Sequence, residues 1–76
     1  MSSDPAVSGS EAVRALKRLG SRIDRIEGSH HMPVRAGHPC TVAVPVHGGQ
    51  ALPRGTLRSI IRIAGVSRKQ FFAAVR

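Results

Sequence analysis

The sequence predicts one small α+β domain, ordered as helix, three strands, helix and a short terminal helix. Three observations predict it. Ala12, Ala15, Leu16 and Leu19, and again Leu57, Ile60, Ile61 and Ala64, fall at i, i+3, i+4 and i+7, the apolar stripe of an amphipathic helix. Between these stretches Val42, Val44 and Val46 alternate, the period of a strand with one buried face. The length of 76 residues allows a single core, since a chain of this size buries roughly 60% of its unfolded surface.

Residues 1–9 are rich in Ser and Gly with little to bury, and read as a flexible tail ahead of a domain spanning 10–76. Ser10 is placed to cap the first helix, and Glu11 complements its positive start. Arg14, Lys17 and Arg18 take the outer face, and Gly20 is a natural stop. Ser21–Glu27 carries β-branched Ile23 and Ile26 and reads as a strand, although Asp24 and Arg25 spoil the alternation. Gly28 and Ser29 follow, then the segment His30 to Val34. Residues 35–39 read as a turn because Gly37 and Pro39 both break regular structure. Residues 41–46 read as the third strand, and Pro45, lacking an N–H, belongs at an edge or a strand end.

His47-Gly48-Gly49 closes that strand, and Pro53-Arg54-Gly55 leads into the second helix. Thr56 is placed to cap this helix, and Gly65 to supply its left-handed terminal residue. Ser67-Arg68-Lys69-Gln70 has the pattern of a capping box. It opens a short last helix whose Phe71 and Phe72 either close the core or dock a partner. The chain shows no internal repeat and no linker.

Twelve Lys and Arg stand against four Asp and Glu, a formal charge of +8. Such an imbalance calls for a polyanionic partner: nucleic acid, an anionic membrane surface or an acidic protein. A hydrophobic fraction of 41% supports a folded core rather than a basic disordered tail. The single cysteine, Cys40, cannot form an internal disulfide and fits a reducing cytosol. No apolar run approaches the roughly 20 residues of a membrane helix, and the N-terminal residues lack signal-peptide character. A cytoplasmic protein is expected. A membrane-surface role is disfavoured because the amphipathic helices carry modest apolar residues and no Trp.

The chemistry must come from a short inventory: His30, His31, His38 and His47. A Ser–His–acid triad needs an acid beside a histidine, and Asp24 and Glu27 read instead as solvated strand residues. Zinc would find suitable ligand types in His30 or His31, His38, Cys40 and His47, yet their spacing matches no zinc-finger pattern. No metal is expected. A third arrangement needs one imidazole, because RNA carries its own nucleophile in the 2′-hydroxyl. Gly28 and Ser29 ahead of His30 would let backbone approach a phosphate, with Ser29 adding a hydroxyl donor. The plain alternative is that His30 and His31 are ordinary surface strand residues. Arg54, Arg58 and Arg62, spaced by four, form a basic stripe, which is either a solvated helix face or a phosphate contact. Without Trp or Tyr, base stacking is not the main means of holding RNA.

Three segments together are more specific. Gly28-Ser29-His30-His31, Val44-Pro45-Val46-His47-Gly48-Gly49 and Gly55-Thr56-Leu57-Arg58-Ser59-Ile60, with Ala64-Gly65 beyond, resemble the HicA family of mRNA interferase toxins over about residues 8–72. The resemblance implies an α-β-β-β-α fold similar to a double-stranded-RNA-binding domain, with a three-stranded antiparallel sheet packed on two helices. It implies an endoribonuclease toxin of a type II toxin–antitoxin system that cleaves mRNA without a cofactor and is neutralised by an acidic HicB-type antitoxin. Within the family motif His30 takes the catalytic position. Gly28, Ser29, His31, His47, Arg54, Arg58 and Arg62 become the supporting or RNA-binding candidates. The chain departs from the family pattern at Ser21, Asp24 and Met32-Pro33, and Pro33 removes a ladder hydrogen bond. A non-catalytic double-stranded-RNA-binding module, or an attenuated toxin, is the alternative reading.

Overall fold

A computed structural model describes residues 5–35 and 42–76. Its elements are α1 (Gly9–Arg18), β1 (Ser21–Glu27), β2 (His30–Arg35), β3 (Val44–Pro45), α2 (Arg54–Ala64) and α3 (Arg68–Val75). The strands form an antiparallel sheet in the order β1-β2-β3. This is the expected α+β architecture, with α3 as a full third helix. Of the turn expected over 35–39, Arg35 instead ends β2 and 36–39 lie outside the described residues, as do His38 and Cys40. Among the described residues no helix is long and apolar enough to cross a membrane.

The register explains the imperfect pattern of β1. Ile23 pairs with Pro33, but Arg25 pairs with Met32, so Asp24 is an extra residue in a β-bulge. The bulge resets the alternation and brings Ile23 and Ile26 onto one face despite their spacing of three. Ile26 sits opposite His31, and His31 sits opposite Val44. Val44 is fully buried, so this is the inner face of the sheet, the one that meets the helices.

Pro33 limits the other side of β2. The Val46 N–H donates to the Ser29 carbonyl at 2.7 Å, which makes 29 and 46 a hydrogen-bonded pair. Because such pairs alternate in an antiparallel ladder, His31 and Val44 form the next one, and residues 33 and 42 would form the third. Proline has no N–H to give there, and the pairing stops at His31 and Val44. The strand expected over 41–46 is thereby cut to Val44–Pro45. Val42 still packs into the core and Val46 packs against it, so the alternating valines serve burial over a longer stretch than the ladder. Pro45 falls at a non-hydrogen-bonded position of an edge strand. Its missing N–H removes no bond and blunts the open edge.

One core joins α1, α2, α3 and the inner sheet face. Ala12, Val13, Ala15 and Leu16 come from α1, Leu57, Ile60, Ile61 and Ala64 from α2, and Phe71 from α3. Phe71 is 0% exposed and meets the Phe72 ring edge-on at 5.4 Å between centroids, so the aromatic pair closes the core. The guanidinium of Arg18, at the end of α1, donates to the carbonyls of Ala74 (2.7 Å) and Arg76 (2.5 Å). It thus supplies donors to the otherwise unpaired C-terminal end of α3.

The N-terminal boundary differs from the sequence expectation. The tail read over 1–9 does not reach residue 9, because Val7 is buried in the core and α1 begins at Gly9. Ser8, not Ser10, is the N-cap, in a reciprocal box with Glu11. The Leu52 N–H donates to the Val7 carbonyl at 2.8 Å, and Ser8 bridges Ala51. These bonds tie the chain start to the segment before α2. At α2 the expected Thr56 cap is also replaced: Pro53 is the N-cap, with no side-chain bond, its fixed φ suiting entry into a helix. Gly65 at φ 75° and the Ser67–Gln70 capping box stand as expected.

Gly9 has a packing reason to be glycine. A Cβ there would overlap the Pro45 carbonyl and come within 3.0 Å of the Val46 Cα. Gly9→Ala is expected to lower stability by about 1–3 kcal/mol, measured by urea denaturation. A second expectation concerns acid. The Ser8 backbone N–H, and secondarily the Ser8 hydroxyl, hold the Glu11 carboxyl below its ordinary value of 4.5. Its contribution is therefore complete above that pH and lost as pH falls through the lowered value. The melting-temperature gap between wild type and Glu11→Gln should shrink across that window.

Candidate active site

The site begins at the β1–β2 turn. Gly28 has φ 58°, and among the described residues none other than glycine has positive φ. A two-residue hairpin loop with positive φ only at its first central position is the type II′ pattern, which demands glycine there. The tight turn sets Glu27 directly opposite His30. On the other side of β2, His30 is opposite Pro45. This is a non-hydrogen-bonded pair, in which the two Cα atoms stand about 4.5 Å apart and the side chains are close.

Alternation then separates the two histidines. His31 shares the inner face with Ile26 and Val44 and is half-buried, whereas His30 lies on the outer face and is exposed. The structure therefore offers one histidine of the pair to an outer-face ligand and uses the other in packing. Ser29 is half-buried, and its carbonyl bond to Val46 ties the turn to the end of β3.

His47, two residues beyond Pro45, is exposed. It lines a cleft of about 250 Å³ with Pro45, Gln50, Pro53 and Thr56. Ser29, His30, Pro45 and His47 are thus gathered at one end of the sheet. Arg54, Arg58 and Arg62 are all exposed on α2, in a stripe beside its buried face. Arg54 in the first turn borders a neighbouring cleft of about 220 Å³ with Val7 and Leu57. Arg58 and Arg62 lie about 6 and 12 Å further along the helix. The stripe leads away from the β3–α2 junction rather than surrounding His30.

Two of the sequence-derived metal-ligand candidates, His38 and Cys40, fall outside the described residues. Among the described residues no three His, Cys, Asp or Glu side chains are grouped to hold a metal. Glu27, read from sequence as a solvated strand residue, is exposed but stands across from His30. The Gly28-Ser29 dipeptide was the available signal, because a two-residue turn pairs the residues on either side of it. Gln50 had no signal in the sequence, since only the fold brings it beside Pro45.

Residues 9–66 match the family model described as the HicA toxin of bacterial toxin–antitoxin systems. Among curated proteins none matches the chain. The matched span contains the turn, both histidines of β2, the cleft and the arginine stripe. The facing of the histidines is testable without activity. His30→Ala should change unfolding free energy by less than about 0.5 kcal/mol, as for an exposed substitution. His31→Ala should cost more, because His31 is half-buried on the face it shares with buried Val44. The reverse order in denaturant unfolding would contradict the register.

Proposed function

The chain belongs to the HicA toxin family of bacterial toxin–antitoxin systems, and from that premise we propose that it is an endoribonuclease that cleaves mRNA with His30 as its acid–base group. Membership makes it the toxin of a pair and implies an antitoxin partner. The observation that carries the nuclease reading is the exposed His30 imidazole on the outer sheet face, held at the Gly28–Ser29 turn.

The reaction needs little from the protein. The ribose 2′-oxygen attacks the adjacent phosphorus, and the bond from phosphorus to the 5′-oxygen breaks. The products are a 2′,3′-cyclic phosphate and a 5′-hydroxyl. One proton leaves the 2′-hydroxyl and one arrives on the 5′-oxygen, so charge and atoms balance. Histidine is the side chain suited to either proton transfer near neutral pH. No metal is required to generate the nucleophile, because the substrate supplies it. In this reading Ser29 and the Gly28 backbone meet the phosphate beside His30, and the net charge of +8 draws RNA in. Arg54, Arg58 and Arg62 hold the strand beyond the cut. His31 supports the site by fixing β2 against Val44. The same basic surface suits an acidic antitoxin of the HicB type.

Purified protein incubated with mRNA tests this reading. His30→Ala should lower cleavage by roughly 10²–10⁴-fold, and a metal chelator should leave wild-type cleavage unchanged. Cleavage by His30→Ala at the wild-type rate would remove the site assignment. Tight RNA binding without cleavage by wild type would favour a non-catalytic binding module. Arg58→Ala should weaken RNA binding evenly across sequences and reduce the salt slope by about one phosphate contact. Growth arrest on expression should be relieved by co-expression of an acidic neighbouring gene product.

A further inference from the structure

Resting on the nuclease reading, we propose that the cleft between β3 and α2 is a nucleobase subsite, taking the base beside the scissile phosphate and reading its edge through Gln50, His47 and Thr56. Three observations converge on it. The first is continuity: Pro45 forms part of the cleft wall and is also the residue directly opposite His30. A close, non-hydrogen-bonded pair separates them by about 4.5 Å at the backbone. A base seated against Pro45 therefore has its own ribose and phosphate over the outer face that His30 occupies.

The second is size. A volume of about 250 Å³ lies below the roughly 300–1,000 Å³ of pockets for drug-sized ligands. It admits one ring system and not a stack of bases. The third is chemistry. Pro45, Leu52 and Pro53 give flat apolar walls, while Gln50, His47 and Thr56 bring an amide, an imidazole and a hydroxyl. A glutamine amide presents one acceptor and two donors, the fork that matches the edge of a base. Single-stranded RNA is recognised in this way, by bases splayed out and bonded along their edges, with histidine among the rings that stack on them.

These groups stand on a fixed frame. The Gln50 N–H donates to the His47 carbonyl at 3.1 Å, closing a turn in which Gly48 takes φ 58°. The turn brings His47 and Gln50 to the same side of the loop. Leu52 is bonded to Val7, and Thr56 sits in the first turn of α2. Preorganisation of this kind is what a selective polar contact needs.

The test has two independent arms. In the first, 5′-nucleoside monophosphates and ribose 5-phosphate are titrated into the protein and followed by amide NMR. Nucleotides should move the signals of Gln50, Ala51 and Thr56, and ribose 5-phosphate should not. Equal shifts with both, or none with either, would overturn the subsite. In the second, cut sites in a randomised RNA are mapped for wild type and Gln50→Ala. Wild type should favour particular bases beside the cut, and Gln50→Ala should flatten that preference by on the order of tenfold. An unaltered preference would overturn the assignment to Gln50. Nucleotide-specific shifts in a protein that cuts no RNA would instead overturn the nuclease reading and leave the base subsite standing.

Discussion

The pairing of His31 with Val44 is the contact on which the site depends. Val44 is fully buried, so its partner across the ladder must face inward as well. With a side-chain period of two, a slip of one residue would turn His30 into the core and expose His31. Burial of a single valine thus selects which imidazole meets solvent. The same register places Pro45 opposite His30 and leaves Pro33 where the ladder has to end.

The rest of the fold keeps that register from moving. Gly9 lies so close to the Pro45 carbonyl that no side chain fits between them. The N-terminal end of α1 therefore abuts the strand that defines the outer face. The Ser8–Glu11 box fixes where this helix starts, and Val7 anchors the chain ahead of it in the core. At its other end Arg18 holds the C-terminal carbonyls of α3, and Phe71 is buried in the shared core. A domain this small has few contacts to spare, so terminal segments that would be dispensable in a larger protein belong to its core.

The chemical economy follows from the substrate. RNA that brings its own 2′-hydroxyl requires a proton carrier, a place for the phosphate and some means of choosing where to cut. In the proposed reaction the II′ turn would present the first at the end of the sheet, basic side chains would serve the second, and the adjoining cleft the third. All three draw on the short stretch from β3 to the first turn of α2 together with one hairpin. On that proposal, a single amide or imidazole would change where the protein acts without changing the reaction.

The sequence by itself determined the elements whose signals are local. Both amphipathic helices, the Ser67–Gln70 box, the left-handed Gly65 and the edge position of Pro45 were legible, because each depends on spacing within a few residues or on one residue's backbone limits. The resemblance of the three motif segments also pointed to His30, the residue proposed as the acid–base group. What the tertiary structure decided depends on partners distant in the chain. Ser8 displaced Ser10 as the cap because Val7 has a place in a core built from residues 12–71. Asp24 became a bulge because β2 set the register, and Pro33 shortened β3 because its missing N–H pointed toward that strand. The opposite facing of His30 and His31, and the meeting of Pro45, His47, Gln50 and Thr56 in one cleft, were settled the same way. Alternation along a strand says that neighbours face opposite ways, but only the burial of a residue on another strand says which way is in.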